Sequence, residues 1–154
     1  MTTSLPETLG LDTNCIVYYI ETVGDRAAYL AEHVVGPMER GRLAAVTSVV
    51  TLAEILVPAL RAGDANRAEE LEQVLLTLTG LTVLAADAEL MKIAAAIRAV
   101  SGLRLLDCIQ LGAARLGGAT AFLTNDRRMQ REGTGIEILI LDDLVAAAAT
   151  GEPA

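Results

Sequence analysis

Residues 9–14 read Leu9-Gly10-Leu11-Asp12-Thr13-Asn14, and residues 119–126 read Ala119-Thr120-Ala121-Phe122-Leu123-Thr124-Asn125-Asp126. Each is a short, mostly apolar run that reaches an acidic residue at or just past its end. Runs of this length, bounded by polar residues, fit strands covered on both faces. Similar runs recur further along, so five strands are predicted, from Leu9 to Thr13, Ala44 to Thr47, Leu81 to Leu84, Ala119 to Thr124 and Ile136 to Leu141. Longer stretches with apolar residues at helical spacing separate them. Ser48 can cap a helix running to about Arg61, with a kink expected at Pro58. A second helix spans Asn66 to Leu78, a third follows Asp87 from Ala88 to Val100, and a fourth runs from Leu106 to Leu116 and stops at Gly117-Gly118. Alternation of this kind predicts an α/β fold, a doubly wound sandwich with a central parallel sheet of four to five strands flanked by helices.

The chain has 154 residues, which suits one domain with a core from about 9 to 141 and a short helical tail over 146–154. It is 53% hydrophobic and 21% charged, with mean hydropathy +0.45, too apolar for disorder and apolar enough to suggest a buried face in an oligomer. No run approaches the roughly 20 apolar residues of a membrane span, and the first ten residues lack a basic segment followed by an apolar one. A cytoplasmic location is the expectation. Cys15 and Cys108 lie in apolar stretches and read as two buried thiols, not a disulfide. His33, the one histidine, falls in a helical stretch and reads as a structural residue.

The net charge of −8 argues against binding of nucleic acid through a diffuse basic surface. Any such contact rests on placed arginines, since eleven of the twelve cationic side chains are arginine and Lys92 is the exception. Arg127, Arg128 and Arg131, beside Asp126, are the candidates for phosphate contacts, with a solvated, salt-bridged face as the plainer reading. Tyr18 and Tyr19 follow the first acidic signature and read as packing residues, with base stacking as the alternative.

In an open parallel sheet the ligand crevice lies beyond the carboxyl ends of the strands. Asp12 and Asp126 fall there if their strands are neighbours. Asp107 sits among apolar residues where a helix begins, and Glu54 lies in the apolar stretch from Val49 to Leu56, where burial of an ionised carboxylate would be costly without a cation or donor. Asp12, Asp107 and Asp126 could each be a local cap; Glu54 is the hardest to explain structurally. Four carboxylates in one cleft repel, which raises their pKa values unless a cation sits among them. Oxygen ligands of this kind suit Mg²⁺ or Mn²⁺, and such sites suit hydrolysis of phosphodiesters.

These segments, together with Leu52-Ala53-Glu54-Ile55 and Leu106-Asp107-Cys108-Ile109-Gln110, resemble the signatures of the PIN-domain family, in order and over most of the chain. The resemblance implies Mg²⁺- or Mn²⁺-dependent endoribonuclease activity, and for a chain of this length a VapC-type toxin of a toxin–antitoxin pair, commonly dimeric and held inactive by its antitoxin. It implies that Asp12, Glu54, Asp107 and Asp126 are the catalytic, metal-binding quartet, with Thr124 and Asn14 as supporting polar neighbours and RNA as substrate. Two other readings stand beside it. A haloacid-dehalogenase-like phosphatase also places an Asp at the tip of its first strand, but has a second Asp where this chain has Asn14. A regulatory or scaffolding domain could bind a divalent ion without turnover.

Overall fold

A computed structural model describes residues 5–151. Five parallel strands form one sheet in the order β3-β2-β1-β4-β5, comprising β1 (Thr8–Leu11), β2 (Ala44–Ser48), β3 (Leu81–Leu84), β4 (Ala121–Thr124) and β5 (Glu137–Ile140). The predicted α/β class and all five strands are present, β3 with the predicted ends and the others with ends moved by at most two residues. The first strand stops at Leu11 instead of Thr13 because the Asp12 side chain accepts a hydrogen bond from the Thr13 backbone and turns the chain into a helix.

Between β1 and β2 the chain forms α1 (Thr13–Glu21), α2 (Gly24–Leu30), a π-helical segment (Ala31–Val35) that contains His33, and α3 (Gly36–Glu39). The helices α4 (Val50–Arg61) and α5 (Ala65–Thr77) link β2 to β3, and α6 (Ala88–Ser101) and α7 (Leu105–Leu116) lead from β3 to β4. Helix α4 runs through Pro58 without a break. Asp87 caps α6 as its sequence position predicts, accepting from Leu90 N–H at 2.9 Å. The last helix, α8 (Leu141–Thr150), begins five residues before the predicted tail, because Leu141 and Leu144 are buried in the core and Asn125 Oδ1 accepts the Asp142 N–H. The rest of that predicted tail, 152–154, lies outside the described residues.

Helices cover both faces of the sheet, with one apolar cluster around Leu9, Leu11 and Leu123 and another around Phe122, Leu90 and Leu111. The second holds α7 against the sheet at unusually short range. A Cβ built on Gly10 would lie 2.5 Å from the Ala114 Cβ and 2.6 Å from the Phe122 ring, so only glycine lets β1 and α7 approach this closely. That approach presses α7 into the core, where every residue from Cys108 to Ala114 is buried. Both cysteines are buried free thiols, as expected. Among the described residues no helix is long and apolar enough to cross a membrane.

Sheet order reverses direction between β1 and β4, whose registers pair Leu11 with Leu123. Connections leave to opposite sides there, and the carboxyl ends of the two strands open a crevice.

Candidate metal centre

Asp12 lies at the floor of that crevice. Its N–H donates to Leu123 O at 3.0 Å, which extends the β1–β4 ladder by one bond and fixes the carboxylate over the seam. One carboxylate oxygen accepts from Thr13 N–H at 2.8 Å; the other accepts from Thr124 Oγ1 at 2.6 Å and Asn14 Nδ2 at 2.8 Å. Thr124 and Asn14 are thus donors to Asp12. Desolvation by burial dominates its acidity and pushes its pKa from 3.8 up to about 6, against the lowering effect of the Thr124 and Thr13 donors. Glu54 and Asp107 add smaller upward contributions, so burial outweighs the carboxylate repulsion expected from the sequence.

The other three acids meet Asp12 in one open cleft of about 430 Å³, lined also by Tyr18, Arg104 and Arg128. Glu54 differs from its sequence reading. It lies on the solvent face of α4 and is exposed, so the argument from costly burial fails. The apolar residues around it divide between two helix faces: Thr51, Ile55 and Ala59 face the core, and Glu54 projects over the cleft and accepts from the Thr13 hydroxyl. Asp107 sits in the first turn of α7, where the helix dipole favours a negative charge. Asp126 follows β4 and caps a short 3-10 turn (Arg127–Met129) by accepting from Arg128 N–H at 3.0 Å.

Two of the carboxylates already carry a cationic partner. Arg104 Nε and Nη2 reach the two oxygens of Asp107 at 2.8 and 3.1 Å, and Nη2 lies 3.9 Å from Asp126. Arg128 grips Asp126 with Nε at 2.9 Å and Nη2 at 2.5 Å, which together with the Arg128 N–H holds that carboxyl below the usual range. As they stand, no three Asp, Glu, His or Cys side chains among the described residues are gathered to ligate one ion. The donor set still suits a hard divalent cation: four carboxylates line one open cleft, and the one at its floor is charged at neutral pH at the expense of desolvation. Of the three arginines singled out in the sequence, only Arg128 faces the cleft. Arg127 pairs with Asp143 on α8, and Arg131 donates to Ser101 O at 3.4 Å.

The sequence reading missed Arg104 and Gln110. Arg104 stands three residues before Asp107, a spacing that pairs side chains across a helical turn and could have found it. Gln110 is a lone amide on the buried side of α7. Its oxygen accepts from Ser48 N–H at 3.1 Å and Ser48 Oγ at 2.9 Å, while its nitrogen donates to Thr51 Oγ1 at 2.7 Å and Thr13 Oγ1 at 3.0 Å. The amide therefore ties α7, β2, α4 and α1 together behind the hydroxyl that meets Glu54.

A five-stranded parallel α/β sheet with acidic residues at its switch point accords with the family-level match. The PIN domain model matches residues 10–133, and the chain belongs to the PIN domain family. Its fold is that of chains in solved toxin–antitoxin complexes. It is 18% identical to a chain of a toxin–antitoxin complex from Klebsiella pneumoniae, covering 87% of this chain and 97% of that one with a TM-score of 0.60. It is 14% identical to a chain of VapBC2 from Rickettsia felis bound to a promoter DNA fragment, over 86% and 98% of the two chains at a TM-score of 0.65. For DNA-bound VapBC from Salmonella typhimurium the values are 22% identity, 88% and 98% coverage, and a TM-score of 0.61. No curated protein sequence matches the chain significantly.

Proposed function

We propose that this chain is a Mg²⁺- or Mn²⁺-dependent endoribonuclease, the toxin of a VapBC-type toxin–antitoxin pair. The observation that carries the reading is the convergence of Asp12, Glu54, Asp107 and Asp126 on one open cleft at the β1–β4 switch point, in a chain of the PIN domain family. Asp12, Glu54, Asp107 and Asp126 would hold the metal, directly or through water. A divalent cation there supplies charge that makes an attacking water more acidic and stabilises the negative charge developing on the phosphate. The protein contributes orientation: Thr124, Asn14 and the Thr13 N–H fix Asp12, and the Gln110 network fixes the Thr13 hydroxyl against Glu54.

The likeness to chains of solved toxin–antitoxin complexes supports an antitoxin partner, and the apolar composition supports a homodimer. A single domain acting in the cytoplasm completes the reading. The test is cleavage of a mixed RNA pool by purified protein with Mg²⁺ or Mn²⁺, with EDTA and Asp12→Asn protein alongside. Cleavage lost in both controls is the expected result. Cation binding by calorimetry with no cleavage of any RNA would instead favour a binding module without turnover.

A further inference from the structure

Arg104 occupies an unusual position for a surface cation in a chain of net charge −8. Its side chain is 66% exposed and grips Asp107, which is only 17% exposed, at the mouth of the cleft. Other arginines of the molecule have partners away from the site: Arg26 on Asp142, Arg67 on Glu70, Arg127 on Asp143. Arg104 and Arg128 both line the cleft, close enough that each guanidinium repels the other. Arg128 is bound to Asp126 through its backbone as well as its side chain, but Arg104 holds Asp107 by its side chain alone.

A divalent cation bound among these carboxylates competes for the oxygens that Arg104 holds and repels the guanidinium. The guanidinium side of this pair is exposed, so water can take over its donors once a cation holds the Asp107 oxygens. Once displaced, the Arg104 fork is still rooted at the start of α7, next to the cleft mouth and beside Arg128. Its planar donors match a phosphodiester, which would approach through that mouth.

We propose that Arg104 is a phosphate-binding residue for the RNA backbone, held on Asp107 until a divalent cation takes that carboxylate. The proposal rests on the nuclease reading for its substrate. Its two consequences have opposite signs: removing the guanidinium favours metal binding and weakens RNA binding. Loss of a positive charge near the cleft produces both signs by itself, so the phosphate contact is read from the salt slope.

The experiment compares full-length wild type, Arg104→Gln and Arg104→Lys. Calorimetric titration with Mn²⁺ alone should show about three- to fivefold tighter binding to Arg104→Gln, the effect of one exposed competing pair. Anisotropy of a labelled single-stranded phosphorothioate RNA in Mn²⁺ should show weaker binding to Arg104→Gln. The slope of log affinity against log salt should fall by about 0.7, one phosphate contact. Arg104→Lys should keep the salt slope. Unchanged Mn²⁺ affinity in Arg104→Gln, or unchanged RNA affinity and slope, overturns the proposal. Wild type that binds no Mn²⁺ sinks both this and the nuclease reading. Tighter Mn²⁺ and weaker RNA binding in a protein that cleaves no RNA would uphold Arg104 and sink only the nuclease.

Discussion

Replacing Asp12 with Asn should stabilise the metal-free protein, and by an amount that depends on pH. Asp12 has a folded-state pKa of about 6 against an ordinary value of 3.8. Between those values the folded chain binds the proton more tightly than the unfolded chain, so stability falls as pH rises through this window. Above pH 7 the charged form costs about 3 kcal/mol relative to an isolated carboxylate. Asn carries no such cost, but it brings its own. Its amide nitrogen can donate to Thr124 Oγ1 if that hydroxyl rotates, whereas Asn14 Nδ2, 2.8 Å from the replaced oxygen, then faces another donor. That mismatch costs roughly 1–3 kcal/mol and does not vary with pH. The net stabilisation at pH 7.5 is therefore about 0–2 kcal/mol, or up to several degrees in Tm for a chain of this size. The pH-dependent part is the sharper quantity. Urea unfolding in EDTA at pH 4 and pH 7.5 should show the stability of Asp12→Asn relative to wild type rising by about 2–3 kcal/mol between the two. A difference that stays constant over this range would refute the assignment of Asp12 as a buried, desolvated acid. Saturating Mn²⁺ should reverse the order at pH 7.5, because binding stabilises only a protein that retains the site.

Gln110→Leu should destabilise the fold by about 2–4 kcal/mol in urea unfolding, since it leaves the buried Ser48 N–H and Thr51 hydroxyl without their amide partner; a neutral effect would show that the network rearranges freely. Gly10→Ala should cost about 1–3 kcal/mol through the clash with Ala114 and Phe122, and thermal melts that match wild type would contradict the close β1–α7 approach. EDTA should abolish RNA cleavage and excess Mn²⁺ restore it, and cleavage that persists in EDTA would exclude a metal-dependent reaction. Arg127→Ala should leave RNA affinity and its salt slope unchanged, because that guanidinium does not line the cleft and pairs with Asp143 on α8; a slope reduced by about 0.7 would mean that it reaches the RNA.

The alternation of short apolar runs with amphipathic stretches was enough to determine the α/β class and the five strands, because a parallel sheet buried on both faces leaves a continuous apolar signature. It also located Asp12 and Asp126, since an acid that ends such a strand is visible in one dimension. Helices α1 to α3 were less legible: the 14–43 stretch mixes small residues with Gly24, Gly36 and Pro37, and its helices pack short segments. Tertiary structure alone decided the rest of the site. Glu54 stands out in sequence because its neighbours are apolar, yet only the packing of α4 shows which of them face the core and that Glu54 does not. The raised pKa of Asp12 comes from desolvation at a seam between strands over a hundred residues apart. Arg104 and Arg128 settle on Asp107 and Asp126, while Arg127 and Arg131 turn away, because side-chain direction depends on helix phase and neighbouring elements that no single segment encodes.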